Sequence, residues 1–560
     1  MTFTKPKNAV FLMCGVAALS LFYNLTGIGW GLPALWYPDE PETIEQIVIP
    51  MARHLDPNPH IFHKGSLYYY FLIIVLSPYF AALKLLHVPM KSYESLVGQV
   101  ALIARIATAC AGAFGVWVMF WIGRRLRNTR SGIAAAFLLA VNILYAGYAH
   151  FAYMEVPMVV LLMLSLLLAL RYADNRRLAD LRLSAFVGGL AVSTKVNAGL
   201  PVLVFLLILH LDRAGRGSGF RAKCGLFFSG ELFVSAGLLA LGFVAGTPFA
   251  VLDFRTFLSY FIKQSFIARE GYKVFVISDS WGAGLRLLIS SLGAPVAAMA
   301  VAAVCYGLIR YLKDRDVKTA CVVFPPLFYY IYMGFVNLAA VRYLMPMVPF
   351  MILSITLVDV VRFRKSAGRV LLALFLLAGV HAAAGSFLGV REFTADTRNS
   401  AEKWIRANIP PGGKVEMYAY KMYLPKFPDG LAAYRMTPNF VVESLGYEAF
   451  KRGGFAAKYL PDASESALSR GKGEPENREA FTETALLQRN PDFIVLSSFY
   501  DDRYLPSKTN KTIEMYPQLA QYYQALASGR SGYEPAAVFQ KNRMQEFYLN
   551  PTITVLKRMR

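Results

Sequence analysis

Cysteine is scarce in this chain: five in 560 residues, all before residue 322, none in a metal-ligand or redox spacing. That excludes a disulfide scaffold and a cysteine-ligated zinc site. Charge is scarce too, at 17% of residues against 56% hydrophobic, far from the make-up of a soluble domain of this length. Also missing are a P-loop, an HExxH pair, a CxxC pair and any internal repeat. Walker-type phosphate chemistry, zincin chemistry, thiol redox work and a solenoid are thereby set aside. Acid is short relative to base, 36 residues against 58, for a net charge of +22. A nucleic-acid partner does not follow, because the basic residues do not share one face. They fall in short clusters between apolar runs near 20 residues long, the mark of membrane helices with positive-inside loops.

The clusters are Lys5 with Lys7, then 124–130, 171–182, 212–223, 310–318 and 362–369. Placing all six in the cytoplasm pairs off the helices between them: 97–123, 131–149, 155–172, 182–195, 197–211, 226–246, 284–310, 319–337, 343–361 and 367–388. The first apolar run, 9–30, lacks a small-residue cleavage site after it and reads as a retained signal anchor. The expected fold is a polytopic α-helical membrane protein of about 11 spans, occupying 1–388, with a C-terminal extracytoplasmic α/β domain at 389–560. The first outer loop, 31–96, carries interfacial helices. Its apolar run 66–88 is long enough to cross, yet crossing would invert every later basic loop, so it is placed along the outer interface. "YYY" at 68–70 reads as an interface belt. In the outer domain, 491–498 and 552–557 read as strands, 511–529 as a helix and 461–479 as a polar loop.

This topology collects ionisable residues at one membrane face: Asp39, Glu40, His60, His63, Lys64, Arg105, Glu155, Lys195 and Arg342. Such groups cost roughly 2.5–3.5 kcal/mol each at membrane depth and mark function by default. Each has a plain alternative: Asp39 as a turn residue, Lys64 and Lys195 snorkelling, Arg105 in a structural ion pair. Acids beside cations at a bilayer surface suit transfer of a sugar from a polyprenyl phosphate. The leaving phosphate gains negative charge, which cations stabilise, and a carboxylate takes the acceptor's proton. A transporter or flippase of a lipid-linked glycan is the alternative, and it would show matching halves with mid-membrane charges.

The order of "YPDEP", "HKGSLYYYF", "YMEVPM", "GLAVSTKVNAGLPVL" and "VRYLMPMVPF" resembles the GT-C class of membrane glycosyltransferases. The likeness is to the protein O-mannosyltransferases and bacterial aminoarabinose transferases in particular, over nearly all of 9–388. The resemblance implies an inverting glycosyltransferase with Asp39 as catalytic base and Glu40 as its partner. Glu155 stands where the family has Asp, and "KGSL" replaces the family's Lys-Pro-Pro-Leu. Lys64, Arg342, Lys195 and Arg105 are the candidate donor-phosphate ligands. His60, His63 and Tyr343 are candidate substrate contacts. No cofactor is implied with certainty; a divalent metal, Mg or Mn, is the one candidate. The partners implied are a polyprenyl-phosphate-sugar donor, a glycan, lipid or protein acceptor, and membrane lipids, in a bacterial inner membrane with the C-terminal domain periplasmic.

Overall fold

A computed structural model describes residues 6–86, 92–213, 229–270, 280–336, 340–358, 365–428, 431–435, 480–506, 513 and 516–559. The polar loop expected at 461–479 lies outside these residues, as do most of the cluster at 212–223 and the first three residues of the cluster at 362–369. The chain folds as a polytopic helical membrane protein followed by a small α/β domain. Among the described residues, seven helices are long and apolar enough to cross a membrane, and three shorter apolar helices accompany them.

The helices are α1 Pro6–Leu25, α2 Ile49–His54, α3 Leu67–Leu85, α4 Tyr93–Leu126, α5 Thr129–Ala140, α6 Ile143–Tyr148, α7 Glu155–Asn175, α8 Leu178–Thr194 and α9 Gly199–Arg213. They continue with α10 Gly230–Gly246, α11 Phe254–Glu270, α12 Ser280–Leu292, α13 Ala294–Asp314, α14 Val317–Gly334, α15 Val348–Leu357 and α16 Lys365–Arg391. With about 1.5 Å per residue, a helix of α7's length matches the apolar thickness of a bilayer. Side-chain caps start many of them. Ser92, Asn128, Ser229 and Asp316 each accept a backbone N–H of the first turn, satisfying donors that the helix leaves unpaired.

Two expected spans are broken. The run 284–310 is two helices, α12 and α13, because Gly293 adopts φ 76° and Pro295 restarts the helix. The run 131–149 breaks at Asn142, which caps α6 through its side chain. The helix α11 lies where no span was expected.

The two ends of the bundle differ. At one end Arg125 and Lys318 both reach Asp174, at 2.7 Å each, Arg176 pairs with Asp212 at 2.5 Å and Arg182 with Glu231 at 2.8 Å. These pairs tie together the basic ends of α4, α7, α8, α9, α10 and α14. The opposite ends of α7 and α8 carry Glu155 and Lys195.

Helix α3 lies antiparallel along the N-terminal half of α4. The Tyr68 hydroxyl meets that of Thr108 at 2.8 Å, and Tyr79 bonds Gln99 nearer the start of α4. Tyr68 and Tyr69 are buried rather than forming an interface belt.

The C-terminal domain holds α17 Thr397–Asn408, α18 Glu483–Arg489 and α19 Pro517–Ala527, with β1 Lys414–Met417, β2 Ala432–Arg435, β3 Phe493–Ser497, β4 Tyr533–Phe539 and β5 Ile553–Arg558. The strands form one mixed sheet in the order β2-β1-β3-β5-β4. Strands β1, β2 and β3 are parallel, and β5 runs antiparallel to both β3 and β4. Strand β3, "FIVLS", is buried throughout, as expected for a central strand. The helix expected over 511–529 is described from Pro517 onward.

Candidate active site

The stretch "YPDEPE" begins a helix rather than stopping one. Pro38 and Asp39 form a turn, and helical geometry starts at Glu40 and Pro41 before a π-helical segment, Glu42–Val48. Proline fits this position because the first helical N–H groups have no partner to lose. Residues 39 and 42, three apart, share a face, and Glu40 points elsewhere.

Glu40 is wholly buried and closed. Arg105 grips it with Nε and Nη2 at 2.8 and 2.6 Å, and the Ala152 N–H adds a third bond at 2.8 Å. The remaining Arg105 donor, Nη1, serves Ile28 O and Trp30 O at 2.8 and 2.7 Å. Arg105 was expected to hold phosphate and Glu40 to assist the base. The structure engages them with each other as a staple between the first loop and α4, both buried.

Around Asp39 the remaining ions form a closed circuit with tyrosine rings between them. Asp39 Oδ2 lies 3.4 Å from Arg342 Nη1 and accepts from the Tyr37 hydroxyl at 3.3 Å. The Arg342 guanidinium sits 5.4 Å over Tyr343, and Lys195 Nζ lies 5.2 Å over the same ring and 5.7 Å over Tyr153. Lys64 Nζ lies 4.6 Å over Tyr153 from its own side. Lys195 is paired with Glu155, whose second oxygen has no partner among the described residues. Lys64 Nζ donates to Glu42 at 3.0 Å, and His63 Nδ1 bonds the same carboxylate at 2.9 Å. The circuit thus joins Asp39, Arg342, Lys195, Glu155, Lys64 and Glu42, three acids against three cations.

The backbone places Lys64 by close approach. A Cβ on Gly65 would sit 1.7 Å from the Ser193 carbonyl oxygen. Only glycine lets the first loop press onto the end of α8, which brings Lys64 beside Lys195. This is the physical content of "KGSL".

Burial pushes the Asp39 carboxyl up, but Arg342 and then Lys64 outweigh it and hold the group below its usual range. Glu42 is likewise raised by burial and brought well down by Lys64 and His63. Burial works against the Lys64 charge, and Glu42 and Asp39 more than restore it, so the ammonium is held above its ordinary value. These groups are charged at neutral pH.

Glu42 is the residue missed from sequence, together with the Tyr37 and Tyr153 rings. Its signal was present, an acid one helical turn after Asp39. His60 is not part of the circuit: it is 65% exposed and bonds Asp56 at 2.7 Å. No group of three or more His, Cys, Asp or Glu side chains gathers among the described residues. The circuit's acids are answered by lysine, arginine and histidine, so this donor set does not fit a divalent ion and no step is routed through one.

Comparison with known proteins bears on this geometry. Residues 90–224, from before α4 to beyond α9, match the family model described as dolichyl-phosphate-mannose-protein mannosyltransferase. No curated protein sequence matches the chain. Among solved structures, ArnT from Cupriavidus metallidurans bound to undecaprenyl phosphate aligns at TM-score 0.52 with 14% identity, covering 98% of each chain. The archaeal oligosaccharyltransferase AglB from Archaeoglobus fulgidus, in complex with an inhibitory peptide and a dolichol-phosphate, aligns at TM-score 0.50 with 12% identity. That alignment covers 90% of this chain and 71% of AglB. The fold is that of the GT-C class of membrane glycosyltransferases.

Proposed function

We propose that the chain is an integral-membrane glycosyltransferase. It moves a sugar from a polyprenyl-phosphate-linked donor to an acceptor at the circuit face, with inversion and with Asp39 as general base. One observation carries the reading: Asp39 is the acid of the circuit that is both solvent-reachable and loosely held. Its side chain is 26% exposed, against 12% for Glu42 and 0% for Glu155, and its partner Arg342 stands off at 3.4 Å.

The reaction follows from the charges. An acceptor hydroxyl or amine attacks the anomeric carbon, the carbon–oxygen bond to phosphate breaks with its electron pair, and the acceptor's proton passes to Asp39. The departing phosphate becomes a monoester with added negative charge, which Lys64, Lys195 and Arg342 stabilise. Arg342 couples the two halves. A bound phosphate draws its guanidinium away from Asp39 and so relieves what holds that carboxyl low, which makes it a stronger base when the donor is in place. Glu42 and Glu155 keep the lysines in position before the donor arrives.

The positive-inside rule sets the basic end in the cytoplasm and the circuit outside, on the periplasmic side of a bacterial inner membrane. Helix α3 then packs antiparallel along the outer half of α4, not flat in the interface, and stops short of the cytoplasmic end. Cysteines introduced as Asn58→Cys and Ser92→Cys should both label from outside with an impermeant thiol reagent; labelling from opposite sides overturns this arrangement. The function is tested by mass spectrometry of lipid and protein glycans from cells carrying the wild-type chain or Asp39→Asn. A sugar present with the first and missing with the second supports transfer. Identical glycans would refute it.

A further inference from the structure

Residues 151–155 form a template on which the acidic turn rests. The Ala152 N–H holds Glu40, Lys64 and Lys195 lie over the Tyr153 ring, and Glu155 pairs with Lys195. Phe151 stacks on Tyr37, with centroids 4.0 Å apart and planes 9° apart. Three more rings close around Tyr37 edge-on: Tyr148 at 6.1 Å, Tyr153 at 5.5 Å and Tyr548 of the outer domain at 5.9 Å. Two of these are themselves fixed. The Tyr148 hydroxyl donates to the Glu546 carbonyl at 3.1 Å. Tyr548, held at φ 55°, accepts through its carbonyl from Arg398 Nη2 at 2.6 Å. Tyr37 is thus wholly buried in a cage of rings from two distant segments, and the cage fixes the direction of its hydroxyl.

That direction is toward Asp39. The Tyr37 hydroxyl donates to Oδ2 at 3.3 Å, and Arg342 Nη1 lies 3.4 Å from the same oxygen. Thr43 Oγ1 donates to the Asp39 carbonyl at 3.3 Å, which holds the backbone. Among the described residues no contact falls on Oδ1, and the side chain is 26% exposed. One carboxylate oxygen is held twice and the other is left open.

The two holders differ in kind. Arg342 carries a charge, which opposes protonation of the carboxyl. Tyr37 is neutral, and its O–H can donate to Oδ2 whether the carboxyl is ionised or carries a proton on Oδ1. Burial holds the phenol well above its ordinary range, so the donor persists at neutral pH. Once a phosphate draws Arg342 away, Tyr37 is the group that still orients the carboxylate.

We infer that Tyr37 is a positioning residue for the general base, holding Oδ2 of Asp39 so that Oδ1 is the oxygen that takes the acceptor's proton. The inference rests on the reading of Asp39 as base. The acceptor's O–H or N–H bond breaks, its electron pair goes to the anomeric carbon, and its proton forms the new bond to Oδ1. Tyr37 neither gains nor loses a proton.

The test compares full-length wild type, Tyr37→Phe, Tyr148→Phe and Asp39→Asn in membranes that contain the cell's own donor and acceptor. Sugar added with time is read by mass spectrometry of the glycans as a function of pH. Thermal midpoint and affinity for undecaprenyl phosphate are read on the purified proteins. Tyr37→Phe keeps the ring and its cage, so its midpoint and affinity should match wild type. Its transfer rate should fall by about tenfold or more, the range for a hydrogen bond to a charged group. Loss of a donor to the ionised form raises a carboxyl, so the acid limb of the pH–rate profile should move up by about one pH unit. Arg342, Lys64, Glu42 and Lys195, the charges that act on Asp39, are common to both proteins. Tyr148→Phe deletes a buried hydroxyl of the same cage that bonds elsewhere, and should leave the limb in place. Slower transfer by Tyr37→Phe with an unmoved limb or a lowered midpoint, or an equal movement in Tyr148→Phe, overturns the inference in favour of a structural tyrosine. An unchanged rate in Tyr37→Phe beside an inactive Asp39→Asn also overturns it and leaves the base reading standing. Full transfer by Asp39→Asn removes both.

Discussion

The two ends of the helix bundle are both rich in ion pairs, yet the pairs are built differently. At the basic end each pair is half open to solvent. Arg125 and Asp174 are 34% and 33% exposed, and Arg176 is 51% exposed. Such pairs tie neighbouring helix ends together and contribute little individually. At the circuit end the ions are more enclosed, separated by tyrosine rings, and left with unused capacity among the described residues: a free Glu155 oxygen, an unpartnered Arg342 Nε, and a long Asp39–Arg342 contact. A structural pair is closed on itself or dissolved in water. A site that must receive an anion keeps its cations gathered and its acids only partly answered. Glu40 with Arg105 supplies the third case, buried and fully closed.

The largest expected effect lies at the circuit. Asp39→Asn should cut transfer by roughly a hundredfold to ten-thousandfold, with little change in thermal midpoint. Comparable transfer by the variant would erase the distinction between the two ends. Next comes the closed pair. Glu40→Gln leaves Arg105 buried with half its partner gone and should cost on the order of 3–5 kcal/mol, read as low yield and a lowered midpoint. A variant with normal stability but no activity would move Glu40 from staple to chemistry.

Lys64→Ala should weaken undecaprenyl phosphate binding by about tenfold to a hundredfold. A Lys64→Ala protein that binds as tightly as wild type would place the phosphate elsewhere. A smaller effect is expected at Asp501 in the outer domain, an acid with no ion-pair partner among the described residues. Burial and then the neighbouring Asp502 charge raise its carboxyl to about 7, and one of its oxygens has no partner among the described residues. A raised folded value means that stability is full below the unfolded carboxyl range and is lost as pH rises through about 7. Asp501→Asn should therefore gain about 1 kcal/mol more over wild type at pH 8 than at pH 5, allowing for solvent screening of a partly exposed group. Equal midpoint differences at both values would show that this carboxyl does not titrate there. The smallest effect belongs to the basic end: Asp174→Asn should change stability by less than about 1 kcal/mol and leave glycan yield intact. A sharp loss of transfer there would break the comparison.

Much of this organisation was legible in the chain. Apolar runs of bilayer length and basic loops between them identify a polytopic membrane protein, because hydrocarbon admits only internally bonded helices and the charge bias is local. The outer strands at 493–497 and 553–558 were legible for the same reason, through continuous apolar runs between turns. The acids and cations of the site could be named because ionisable residues beside apolar runs are costly and few.

Which of them answer one another was not legible. Glu40 and Asp39 are adjacent and chemically alike, yet one is sealed against Arg105, 65 residues away, and the other opens to the site. That choice depends on the direction in which one helical turn presents each side chain. Glu42 joined the circuit and His60 left it for the same reason. The approach of Gly65 to Ser193 and the left-handed Tyr548 were equally hidden. Sequence by itself determined that this protein sits in a membrane with charged chemistry at one face. Tertiary structure alone decided which charges are closed, which are available, and that an outer-domain tyrosine packs against Tyr37, since pairing is set by distances between segments far apart in the chain.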